Sequence, residues 1–163
     1  MKDTVRGSVH KYGDNINTDI ISPTQYMELS IAEGAKYAMS AIDPGFSAKV
    51  KQGDILVAGH NFGSGSSRET SPLYLKHLGI TAIVAKFFAR IFYRNCINRG
   101  ILAVECTDTD RIADGDTIEI DLAAGVINNI TKDESYPCSR IPAHIMPLIA
   151  EGGLVPYLKK ILM

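Results

Sequence analysis

The chain has 163 residues, with 17 basic against 18 acidic side chains and a formal net charge of −1, so it is long enough to bury one core without disulfide or metal staples. Its basic residues are scattered, which argues against a nucleic-acid surface, and no apolar run approaches the roughly 18 residues of a membrane span. Met1-Lys2-Asp3-Thr4 is too polar to open a secretory segment, so one cytoplasmic domain over residues 1–163 is expected.

Three cysteines, Cys96, Cys106 and Cys138, form no CxxC pair and read as reduced packing thiols; this chain alone offers no metal cage. Val5 to Tyr12 alternates imperfectly as an opening strand that ends at the turn formers Gly13-Asp14-Asn15. Residues 15–27 mix turn formers with Ile20-Ile21, the pattern of a long loop pinned by a few buried side chains. Ser30, with Glu33 three residues on, predicts a helix N-terminus, and Ile31, Ala35, Ala38 and Met39 share one face of a helix expected to end near Ile42.

Asp43-Pro44-Gly45 and Gln52-Gly53-Asp54 are turns, and Ile55 to Ala58 is a strand. Thr70 to Leu78 reads as a helix closed by Gly79, Ile80 to Ala85 as a strand buried on both faces, and Phe88 to Asn98 as a helix stopped by Gly100. That last helix is expected to bury Phe88, Ile91, Phe92 and Cys96. With Ile101 to Val104 the middle of the chain becomes βαβαβ, which calls for parallel pairing. Thr117 to Leu122 and Val126 to Ile130 alternate as an antiparallel hairpin, and two terminal helices follow in Ile141 to Ala150 and Leu154 to Leu162. The class is α/β: a mixed sheet with a parallel core and additional antiparallel strands.

Between the Ile55 strand and the Thr70 helix lies Gly59-His60-Asn61-Phe62-Gly63-Ser64-Gly65-Ser66-Ser67-Arg68-Glu69. Glycines admit a ligand close to the main chain, a helix start carries unpaired N–H donors, and Arg68 adds a planar cation, so the loop suits a carboxylate or phosphate. The spacing is neither a dinucleotide fingerprint, since Arg68 stands at the third glycine, nor a P-loop, nor a nucleophile elbow. A capping box of Ser66 with Glu69 explains those two residues and leaves the glycines, Ser64 and Arg68 without a reason.

Asn61 to Glu69, followed by Ala85-Lys86-Phe87-Phe88-Ala89-Arg90-Ile91-Phe92-Tyr93-Arg94-Asn95, resembles the small subunits of 3-isopropylmalate dehydratase and homoaconitase, the swivelling domain of aconitases. Asn17-Thr18-Asp19-Ile20-Ile21 and Gly152-Gly153-Leu154-Val155 extend the resemblance over nearly the whole chain. It implies a three-layer β/β/α fold and a hydro-lyase subunit that moves the hydroxyl of a hydroxy-dicarboxylate by dehydration and rehydration. It also implies a large partner subunit carrying a four-iron four-sulfur cluster, with no cofactor on this chain.

By position in the motif, the resemblance makes Ser66 the base that removes a proton from carbon. Ser67 and Arg68 then bind substrate carboxylate, with Gly63, Ser64 and Gly65 lining the site. Gln25, Tyr26, Met27 and Glu28 fall in the stretch that sets substrate choice. Many relatives have cysteine at Ser64 and serine at Phe87, and homoaconitase-like relatives place arginine about where Glu28 stands. An acid there favours a substrate with an apolar branch, isopropylmalate above all, with homocitrate or 2,3-dimethylmalate as alternatives. A non-catalytic anion-binding or regulatory module is the rival of another class. His60, Lys86, Arg90 and Arg94 receive no role from sequence, and an isolated subunit with a bare partner-facing surface leaves room for self-association.

Overall fold

A computed structural model describes residues 4–65 and 68–162. Seven strands make one sheet: β1 (Thr4–Lys11), β2 (Ile55–Val57), β3 (Ala82–Ala85), β4 (Leu102–Glu105), β5 (Thr117–Asp121), β6 (Val126–Asn129) and β7 (Glu134–Pro137), in the spatial order β4-β3-β2-β1-β5-β6-β7. β1 belongs to two neighbourhoods. Its far half pairs parallel to β2 through Val9↔Ile55, and its near half pairs antiparallel to β5 through Val5↔Ile120. β2, β3 and β4 continue the parallel side, while β6 and β7 continue the antiparallel side.

Alternation along the parallel strands builds three layers. Leu56, Ile83 and Ala103 point to one side and pack under the helices with Phe46, Phe62, Tyr74, Leu75 and Phe92. Ile55, Val57, Val84, Leu102 and Val104 point to the other and meet Ile118, Ile120, Ile127 and Tyr136 of the antiparallel half. The sheet therefore folds over onto itself. Ser139 N–H donates to Glu105 O at 2.8 Å and Glu105 N–H donates to Ser139 Oγ at 2.9 Å, so the chain leaving β7 ties back to β4 at the opposite edge. The β/β/α arrangement expected of the sequence is the one observed.

The helices are α1 (Thr18–Ile21), α2 (Ile31–Gly34), α3 (Phe46–Lys49), α4 (Thr70–Leu78), α5 (Arg90–Asn98), α6 (Met146–Ala150) and α7 (Leu154–Leu162). α4 has the expected bounds and ends on Gly79 at φ 115. Other expectations change: α5 starts at Arg90, two residues after the expected Phe88, and the stretch read as a loop holds the short α1. The helix expected to run from 31 to about 42 stops at Gly34 and gives way to a 3-10 turn over Ala35–Tyr37, because glycine propagates a helix poorly and Met39, at φ 62, donates its N–H at 3.1 Å to Ile20 O instead of to its own helix. α6 begins at Met146, five residues later than expected, with Pro147 in its first turn. Ile91 is 54 % exposed because α5 buries a narrower stripe of Phe92, Cys96 and Ile97. α3 and β7, four residues each, carry too little periodicity to announce themselves.

Candidate active site

Three segments leave the carboxyl ends of adjacent parallel strands, the end at which open α/β sheets hold ligands. They are residues 12–23 after β1, 58–69 after β2 and 86–89 after β3. Backbone hydrogen bonds lace them together. Gly59 N–H donates to Gly13 O at 3.1 Å, Asn15 N–H to His60 O at 2.9 Å, Gly63 N–H to Ile16 O at 2.7 Å and Thr18 N–H to Ser64 O at 2.8 Å. On the other flank Phe62 N–H donates to Phe87 O at 3.0 Å and Ala89 N–H to Phe62 O at 2.9 Å. Phe62, fully buried, anchors the loop in the core by edge contacts with Phe88 and Phe92 at 5.9 and 5.3 Å.

Two glycines have reasons specific to this loop. Gly63 sits at φ 84, and a Cβ there would lie 2.1 Å from the Phe92 ring; Gly65 sits at φ 113, and its Cβ would lie 2.8 Å from Thr18 Oγ1. Ser64 is half-buried and Gly65 exposed. Ser66 and Ser67 lie outside the described residues. Arg68 is described, and its side chain is only 16 % exposed. Nη2 pairs with Asp19 Oδ1 at 2.7 Å and Nη1 donates to Ser22 O at 3.0 Å. A guanidinium has five N–H donors, and these two bonds use two of them and fix its plane.

Asp19 and its neighbours form a bracket for this cation. Asn17 Oδ1 accepts from Ile20 N–H at 2.9 Å and so caps α1, and Ile21 is fully buried beneath it. Ser22 Oγ meets Ser71 Oγ of α4 at 2.6 Å, tying the two helices that carry Asp19 and follow Arg68. Ser66, one half of the capping box read from the sequence, lies outside the described residues; α4 starts at Thr70. Glu69 makes no side-chain cap, and its carboxylate is taken by Arg99. Ser22 and Asp14 are site-shaping residues that motif spacing does not reveal; Asp14 Oδ1 holds His60 N–H at 2.7 Å.

The other named residues divide cleanly. Lys86 Nζ pairs with Asp110 Oδ2 at 2.5 Å, and that carboxylate holds the ammonium pKa above its ordinary value. His60, Arg90 and Arg94 are exposed. Glu28 and Gln25 are exposed and Met27 is 44 % exposed, whereas Tyr26 is half-buried. Burial pushes the Cys96 thiol far up and the Cys138 thiol up to about 11, so neither is an activated nucleophile. Among the described residues no group of three His, Cys, Asp or Glu converges to hold a metal.

A cleft of about 680 Å³ opens at the opposite, amino ends of the strands, lined by Arg6, Lys76, Thr81 and Ile149 among others. Of its two cations, the exposed Lys76 is already used: its Nζ donates to Arg99 O at 2.7 Å and Gly152 O at 2.8 Å. The carboxyl ends differ in carrying a guanidinium that is oriented by two partners.

Residues 6–109 match the family described as the aconitase C-terminal domain. The 3-isopropylmalate dehydratase small subunit of Nautilia profundicola is 48 % identical over 159 residues, covering 97 % of this chain and 96 % of that one. The isopropylmalate/citramalate isomerase small subunit of Methanocaldococcus jannaschii is 44 % identical over 162 residues, covering 98 % and 96 %. A crystal structure of 3-isopropylmalate dehydratase from Methanocaldococcus jannaschii superposes with a TM-score of 0.92 at 44 % identity, covering 98 % of this chain and 95 % of that one.

Proposed function

Because the chain belongs to the aconitase C-terminal domain family, among its 3-isopropylmalate dehydratase small subunits, we propose that it serves as the small subunit of a hydro-lyase that converts 2-isopropylmalate to 3-isopropylmalate. It acts as a single swivelling domain in the cytoplasm and completes its site only with a larger subunit. The observation that carries this reading is the Arg68 side chain, largely withdrawn from water and oriented by Asp19 and the Ser22 carbonyl at the end of a glycine loop.

In the reaction a C–H bond breaks, its electron pair forms a double bond, and the hydroxyl leaves the neighbouring carbon. Water then returns with the opposite orientation. Arg68 receives a substrate carboxylate in a two-bond fork, a geometry that lysine cannot reproduce. Ser67 adds a hydroxyl to that carboxylate, and the backbone of Ser64 and Gly65 lets the substrate lie against the main chain, with Gly63 buried behind them against Phe92. Ser66 takes the proton from carbon. A serine hydroxyl is a poor base in water, so its alkoxide depends on the surrounding N–H dipoles and the guanidinium in a site closed to solvent. The four-iron four-sulfur cluster assigned to the larger subunit supplies the Lewis acidity for the departing hydroxyl.

Met27 and Leu29 are exposed apolar side chains in the segment leading from Ser22, and Glu28 between them opposes an additional carboxylate. That favours an apolar branch over the longer acids of homoaconitase. The test is co-expression with the cluster-bearing subunit, anaerobic assembly, and parallel assay of 2-isopropylmalate, homocitrate and 2,3-dimethylmalate. The expected kcat/KM for 2-isopropylmalate exceeds the other two by at least about tenfold, the value of a few methyl groups in an apolar pocket. Preference for homocitrate would overturn the substrate, and inactivity with all three would favour a non-catalytic anion-binding module.

A further inference from the structure

Residues 24–30 include no buried side chain, although they continue directly from Ser22, whose carbonyl holds Arg68. Their backbone bonds are local: Tyr26 N–H donates to Pro23 O, Met27 N–H to Thr24 O and Leu29 N–H to Tyr26 O, at 3.1, 3.2 and 3.1 Å. Two contacts reach outward from Tyr26. Its ring stacks on Tyr37 with centroids 3.8 Å apart and planes 9° from parallel, and its carbonyl accepts from Tyr74 Oη at a long 3.5 Å.

Tyr37 itself stands on firm ground. It closes the 3-10 turn over Ala35–Tyr37, and Ala35, Ala38 and Met39 around it are 0–1 % exposed in the core. Tyr74, beneath, is raised in pKa by burial and drawn back by the Arg68 cation, so the guanidinium lies within electrostatic reach of the same junction. Among the described residues, the exposed apolar stretch with Met27 and Leu29 is thus tied to the body of the fold through Tyr26, by its stack on Tyr37 and the long bond from Tyr74.

We infer that Tyr37 is a positioning residue: through its stack on Tyr26 it fixes the Met27–Leu29 stretch relative to Arg68, and so sets how well the enzyme distinguishes a bulky apolar branch on a hydroxy-dicarboxylate from a small one. This rests on the proposed dehydratase activity. Tyr37 touches no reacting atom in this account. Its ring, and not its hydroxyl, does the positioning.

The test uses the assembled two-subunit enzyme with 2-isopropylmalate and citramalate, whose branches are isopropyl and methyl. Tyr37→Ala is expected to raise KM for 2-isopropylmalate about five- to tenfold, the factor one aromatic stack supports, with citramalate KM and both kcat values within about twofold of wild type. Tyr37→Phe is expected to restore the wild-type ratio. In the free chain, amide exchange over residues 24–29 should quicken by a similar factor in Tyr37→Ala while β2 and β3 stay protected. An active wild-type enzyme whose KM ratio is unmoved by Tyr37→Ala overturns the positioning role alone. A wild-type enzyme inactive on both acids overturns the dehydratase reading and this inference with it.

Discussion

Ser66→Ala in the assembled enzyme is expected to lower kcat by about 10²- to 10⁴-fold, the range a positioned proton acceptor supplies, with KM for 2-isopropylmalate within about threefold and the unfolding midpoint unchanged. The split between kcat and KM is the informative part. Arg68 remains bracketed by Asp19 and the Ser22 carbonyl in the variant, so carboxylate binding survives while proton removal does not. A hydroxyl that only bound the ground state would instead raise KM and spare kcat. Near wild-type turnover would remove Ser66 from the chemistry, and a fall in stability to match the fall in rate would make it structural.

Gly63→Ala is expected to destabilise the fold by about 2–5 kcal/mol, combining a left-handed backbone cost of about 1–2 kcal/mol with overpacking of about 1–3 kcal/mol. The new Cβ would lie 2.1 Å from the Phe92 ring, and that ring is 2 % exposed between Phe62 and Phe88, so it has nowhere to retreat. Against a typical stability of about 5–15 kcal/mol the loss is large, and thermal unfolding should fall by roughly 4–20 °C. Gly13→Ala is the control: its Cβ meets nothing within 4 Å, and its unfolding midpoint should hardly move. Equal midpoints for the two variants would mean that the glycine loop is not clamped on the aromatic cluster.

The parallel core was legible because its strands are buried on both faces and so read as unbroken apolar runs; Ile83 and Val84 serve different layers yet both are fully buried. The hairpin after Asp116 was legible for the opposite reason, its alternation marking one wet face. Short elements were not. Four residues of α3 or β7 span about one turn or one pair of side-chain alternations, and their existence depends on neighbours distant in sequence. The stretch after Ser30 misled because Ala35, Ala38 and Met39 are buried as a helix would bury them, although the chain reaches those positions through a 3-10 turn and a left-handed residue.

The same division runs through the site. Arg68 and the glycines announce themselves by type and spacing, whereas the groups that orient Arg68 come from 46 to 49 positions earlier, and one of them is the Ser22 backbone carbonyl. A carbonyl has no signature in sequence. Asp19 was visible as part of Asn17-Thr18-Asp19, and its role as a bracket for the cation became apparent only from the 2.7 Å pair. Tyr26 and Tyr37, eleven positions apart, meet only because the chain between them reverses direction.

The most direct measurement is a structure of the assembled enzyme with 2-isopropylmalate bound. The account predicts a substrate carboxylate in a fork on Arg68 at about 2.7–2.9 Å, the Ser66 hydroxyl against the carbon that loses its proton, and the isopropyl group against Met27 or Leu29. Substrate held instead at the amino ends of the strands, between Arg6 and Lys76, with residues 59–69 facing away from it, would contradict the account.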